Sequence, residues 1–132
     1  MNVLFTCAGR RNYLINYCKE ILKDGGIVFA SDMGTAPSMV DADISFIVPS
    51  IYDKNYLDTI EYIVIENNIQ AIISLNDLEL PILAKNKTRF EKLNVRVLVS
   101  DEAVIDLCFD KMKTHDFLKD LGLKSPKTFT NL

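Results

Sequence analysis

With 132 residues, 48% of them hydrophobic and 25% charged, the chain has the makeup of one globular domain able to bury a single core. A formal charge of −3 supplies no basic footprint for nucleic acid, and Cys7, Cys18 and Cys108 form no CxxC pair, against a disulfide framework or a zinc site. The start lacks the charge pattern of a signal peptide, and no apolar run nears the roughly 20 residues of a membrane helix; the expectation is a soluble cytoplasmic protein that engages neither nucleic acid nor membrane.

Strand-like and helix-like segments alternate along the chain. The run NVLFTC (2–7) is short and apolar, as in a parallel strand buried on both faces. Leu14, Ile15, Cys18, Ile21 and Leu22 then recur at helical spacing among charged residues, and Gly25-Gly26 closes that helix. IVFAS (27–31) and ISFIVP (44–49) read as the second and third strands, with a loop or short helix between Asp32 and Asp43. A helix over about 54–67 puts Leu57, Ile60 and Val64 on one face. AIISL (71–75) is the fourth strand. Asn76 and Asp77 can cap the helix after it, whose first turn tolerates Pro81 because it has no hydrogen-bonded amide to lose. VRVLV (95–99) is the fifth strand, followed by a short helix from Ser100-Asp101 to about Leu107. This order predicts an α/β fold: an open, mostly parallel, doubly wound sheet of five strands with helices on both faces. The domain is expected to span 1–108. Residues 109–132 then form a linker helix, capped by Asp110 and stopped at Gly122, and the start of a further strand in SPKTF.

In such sheets ligands bind beyond the carboxyl ends of the strands, where strand order reverses. Three segments fall there. In CAGRRNYL, Gly9 permits a tight turn, but one glycine stands where the dinucleotide fingerprint needs three. Arg10 and Arg11 oppose the helix dipole; either they grip a carboxylate or phosphate, or they are solvated or paired with Asp32 or Asp77. Asp32 ends the second strand, either as a ribose-binding acid or as a loop cap. Asn76, Asp77 and Glu79 cluster after the fourth strand; the first two suit capping, and Glu79 is either a first-turn acid or a ligand-facing group. The lone His115 reads as a solvated surface residue and Cys7 as a small buried apolar one. Lys111, following Asp110, is unremarkable on a surface helix.

The stretches VLFTCAGRRNYL, ASDM, SLNDLEL and, above all, CFDKMKTHDFLKDLGLKSPKTF together resemble the N-terminal part of ATP-grasp enzymes. The likeness is greatest to proteins labelled carbamoyl-phosphate synthase large-subunit-like, and more distant to biotin carboxylase and the pyrrolysine-biosynthesis ligase. It covers essentially the whole chain. It implies a Rossmann-like pre-ATP-grasp domain that helps hold a carboxylate-bearing substrate, in a ligase that makes an acyl phosphate for attack by an amine or other nucleophile. Lys111 then matches the position whose side chain reaches ATP phosphate, while Arg10, Arg11, Asn76, Asp77 and Glu79 match the substrate-facing edge. The family's magnesium ligands and glycine-rich loop lie further downstream. The chain is accordingly expected to be the front part of a longer enzyme, inactive alone, with ATP and Mg²⁺ held mainly elsewhere and an apolar face that favours a homo-oligomer. Two other classes fit the sequence less well. A free-standing Rossmann-type nucleotide-binding protein fails on the glycine pattern. A response-receiver module fails because Cys7-Ala8 and Pro49-Ser50 stand where its acids are needed.

Overall fold

The structure is a computed structural model that describes residues 1–129. Its elements are β1 (Val3–Thr6), α1 (Asn12–Leu22), β2 (Val28–Asp32), a 3-10 turn (Pro37–Val40), β3 (Ile44–Ile47), α2 (Tyr56–Glu66), β4 (Ala71–Ser74), α3 (Leu80–Lys85), α4 (Lys87–Glu91), β5 (Arg96–Val97), α5 (Glu102–Phe109) and α6 (Lys111–Asp120). The five strands pair in the order β3-β2-β1-β4-β5, and every pairing is parallel. The doubly wound α/β sheet expected from the alternating segments is therefore present. The chain forms two compact units, Met1–Val99 and the remainder from Ser100 onward.

Strand alternation sorts the core of the first unit into two layers. Leu4, Phe29, Ile72 and Val97 point to one face of the sheet, against Tyr56, Ile60 and Val64 of α2, Leu83 of α3 and Phe90 of α4. Val3, Phe5, Val28, Ala30 and Ala71 point to the other, against Ile15 of α1 and Met39 of the 3-10 turn. Each fully buried Leu, Ile or Phe among them contributes about 1.5–3 kcal/mol of transfer free energy. Ile21, expected on the buried side of α1, is instead 79% exposed: at 3.6 residues per turn it lies about 120° round the helix from Ile15.

Two elements depart most from the sequence reading. The fifth strand contracts to Arg96–Val97, because its only neighbour, β4, pairs with it at two positions, Ala71 and Ile72. The helix after β4 is cut in two at Asn86, whose amide bonds to the carbonyls of both Ile82 and Leu83 and whose Nδ2 donates to Ile82 O at 2.8 Å. That side-chain competition for helix carbonyls ends α3 and starts α4.

In the second unit α5 and α6 meet through Thr114, whose hydroxyl donates to Leu107 O at 2.9 Å. Asp110 caps α6 by accepting from the amides of Met112 and Lys113 at 2.8 and 3.2 Å. Among the described residues no helix is long and apolar enough to cross a membrane.

Candidate functional site

The chain leaves β1 toward β2 on one side and returns to β4 on the other, so strand order reverses between β1 and β4. Their carboxyl ends define the crevice in which open α/β sheets bind ligands. On the β1 side the backbone turns sharply at Cys7 (φ +48°) and Gly9 (φ +57°). Left-handed backbone is free of steric penalty for glycine but strained for cysteine. The turn is held from both sides. Ala8 N donates to Ser31 O, Gly9 N donates to Asp32 Oδ2 at 3.0 Å, and Gly9 O accepts from the amide and hydroxyl of Ser38. Asp32 also takes the amide of Met33 on Oδ1 at 2.8 Å. It is a loop cap, with both oxygens committed to backbone amides.

Arg11 is the N-cap residue of α1 and gives that helix no side-chain cap. Its guanidinium instead donates across the crevice to the carbonyl of Leu75, just past β4. Neither Asp32 nor Asp77 pairs with it. Arg10 is exposed, and among the described residues its side chain makes no hydrogen bond or ion pair. The two cations thus play different parts: one braces the two strand ends, and the other stands free at the rim.

On the β4 side, Asn76 Oδ1 accepts from Leu78 N at 3.0 Å, an Asx turn ahead of α3. Asp77 is exposed and caps nothing with its side chain. The expected capping by Asp77 gives way because α3 begins only at Leu80, with Glu79 in the N-cap position and Pro81 in the first turn. Glu79 does not cap either. It is fully buried, and its carboxylate accepts three hydroxyl hydrogen bonds: Thr6 of β1 at 2.8 Å, Ser74 of β4 at 2.6 Å and Tyr56 of α2 at 2.5 Å. A buried carboxylate is tolerated only when its oxygens are satisfied in this way. The cluster in turn sets the chemistry of its neighbours. Burial first, and then the negative charge of Glu79, push the Cys7 thiol far above its ordinary 9.0 and the Tyr56 phenol far above its ordinary 10.0. Cys7 is therefore held as an unreactive thiol. The hydroxyl of Ser31, also buried, has no partner among the described residues.

In the second unit Lys111 opens α6 and is exposed. It lines a cleft of about 250 Å³ together with Cys108, Thr114, His115, Ser125 and Thr128. His115 is half-buried rather than solvated, with Nδ1 2.5 Å from Ser125 Oγ. The sequence placed no partner there, since ten residues and a helix end separate the two. Thr6, Ser74 and Tyr56 were likewise not anticipated. The signal for them is polar residues in otherwise apolar strand and helix faces, meaningful only once Glu79 is known to turn inward.

A five-stranded, all-parallel, doubly wound sheet with a crevice at its switch point is a Rossmann-like domain. Residues 3–98 match the family model described as the PylC-like N-terminal domain, and the chain belongs to that family. Among solved structures it is similar to N5-carboxyaminoimidazole ribonucleotide synthetase from Thermotoga maritima, with TM-score 0.64 and 15% identity over 96% of this chain and 32% of that one. It is also similar to the L-amino acid ligase from Bacillus licheniformis, with TM-score 0.63 and 21% identity over 95% of this chain and 30% of the other. A third is the biotin carboxylase domain of a single-chain bacterial carboxylase, with TM-score 0.61 and 18% identity over 98% and 31%. The chain thus spans about a third of the length of these three structures. No curated protein matches it in sequence.

Proposed function

We infer that the chain is the substrate-side domain of an ATP-dependent carboxylate–amine ligase or a close relative of one. In this reading ATP phosphorylates a small-molecule carboxylate, and an amine or other nucleophile attacks the acyl phosphate. The observation that carries it is the crevice between β1 and β4, where Arg11 reaches from the β1 turn to Leu75 O while Arg10 remains unpaired beside it. An arginine fork is suited to a planar carboxylate, and Asp77 with Asn76 forms the opposite lip. Family membership and the likeness to two enzymes described as a synthetase and a ligase support the same assignment. Lys111 is the residue assigned to an ATP phosphate. Among the described residues no three His, Cys, Asp or Glu side chains converge to hold a metal ion. In this reading MgATP is held mainly by residues outside this domain. The unpaired cysteines suit a reducing cytoplasm. The 132-residue chain alone does not complete the reaction.

Hydroxylamine trapping tests this. The polypeptide that carries this domain is incubated with MgATP, hydroxylamine and a panel of amino acids and other small carboxylates. Hydroxamate formation with at least one of them, together with ADP release, is the expected result. ADP release without hydroxamate for the whole panel contradicts the acyl-phosphate route, and tight Mg²⁺-dependent ATP binding by the 132-residue chain contradicts the division of labour.

A further inference from the structure

The β1 turn carries a second message, independent of the ligase reading. In doubly wound sheets the amides of the turn after the first strand are the customary seat for a ligand phosphate, and the acid at the end of the second strand serves a ribose. Both parts are present here, and they are turned on each other. Gly9 N, which points out of the turn, is taken by Asp32 Oδ2, and the other Asp32 oxygen is taken by Met33 N. Ala8 N is taken by Ser31 O, and the Gly9 carbonyl is fixed by Ser38. The side chain that could serve a ribose therefore has no oxygen without a backbone partner, and the Gly9 amide that could serve a phosphate is filled.

We propose that Asp32 is a specificity-determining residue: its carboxylate occupies the anion seat of the β1 turn from within and excludes nucleoside phosphates and free phosphate from it. Two physical effects act together. Occupancy removes the Gly9 donor, and the fixed negative charge repels a second anion brought to the same turn. The consequence for ligands is directional. An anion entering the crevice finds its cation at Arg10 and Arg11 rather than at the Gly9 amide, so recognition passes from backbone to side chains. A fold otherwise suited to dinucleotides is in this way turned toward ligands gripped by arginine.

The test needs no knowledge of the substrate. Backbone amide spectra of the ¹⁵N-labelled chain are recorded while inorganic phosphate, and separately ADP, are titrated at constant ionic strength. In the wild type the Gly9 and Met33 amide signals stay where a chloride control leaves them. In Asp32→Ala the Gly9 signal shifts saturably with phosphate, because the seat is open and its donors are free. Should Asp32→Ala lose the native spectrum, Asp32→Asn serves instead. It keeps one acceptor oxygen but neither the charge nor the second acceptor, and a smaller saturable shift is expected. A saturable response of wild-type Gly9 to phosphate overturns the proposal. So does a natively folded Asp32→Ala or Asp32→Asn whose Gly9 amide ignores phosphate, because the seat then excludes anions for a reason other than Asp32. Neither result bears on hydroxamate formation, so this inference and the ligase reading fail separately.

Discussion

The carboxyl-end rim of the first unit and the cleft of the second spend their polar groups differently. At the rim, Glu79 and Asp32 are both consumed by the frame: one collects three hydroxyls inside the core, and the other two amides in a loop. In the cleft, Lys111 is exposed and His115 is tied, among the described residues, to Ser125. The lesson is that an acid at a strand end is not by that fact a ligand-facing group. Among the described residues, the charged side chains left without a partner at that rim are Arg10 on one lip and Asp77 on the other, with Arg11 held to Leu75 O.

Breaking the buried cluster gives the largest expected effect. Glu79→Ala removes the acceptor of three hydroxyls, two of them, Thr6 and Tyr56, fully buried, and is expected to cost about 3 kcal/mol in urea unfolding, whereas Asp77→Ala, on the exposed lip, stays within about 0.5 kcal/mol. Equal losses at the two positions contradict the division drawn between them. Tyr56→Phe removes one of the three donors and is expected to cost about 1 kcal/mol by the same measurement.

The same cluster gives a pH dependence of definite sign. Cys7 and Tyr56 have pKa values raised above their ordinary 9.0 and 10.0 in the fold, so both stay protonated there while the unfolded chain loses protons. The stability this provides is fully present below about pH 9 and declines as the pH rises beyond it. Urea midpoints measured between pH 7 and pH 10.5 should fall above pH 9, and less steeply in Cys7→Ser/Tyr56→Phe. Alkylation with iodoacetamide reads the contrast kinetically. Exposed Cys108 is labelled first, and Cys7 reacts only at the rate at which the fold opens. The smallest effect is expected at a surface ion-pair cluster of the first unit. Arg89 pairs with Asp58 at 2.6 Å and with Glu61, all partly exposed, and Arg89→Ala is expected to cost about 0.5 kcal/mol, less at high salt.

The sheet was legible because five short apolar runs, each bounded by turn residues, carry their own signal. So does the Asp110 cap, which acts over two or three residues. The ends of β5 were not, because pairing with β4 rather than composition sets them. Glu79 was the hardest to read: its partners lie at 6, 56 and 74, and only the folded sheet brings those hydroxyls to one point. For Asp32 the sequence left ribose binder and loop cap open, and the amides of Gly9 and Met33 decide for the cap.

The most direct test of the central claim is a kinetic split in the polypeptide that carries this domain, with the carboxylate that the hydroxamate panel selects. Arg11→Ala is expected to raise KM for that carboxylate by about tenfold, the equivalent of one arginine contact of about 1.4 kcal/mol, and to leave KM for ATP unchanged. A rise in KM for ATP with KM for the carboxylate unmoved would contradict the assignment of the β1–β4 crevice to the substrate.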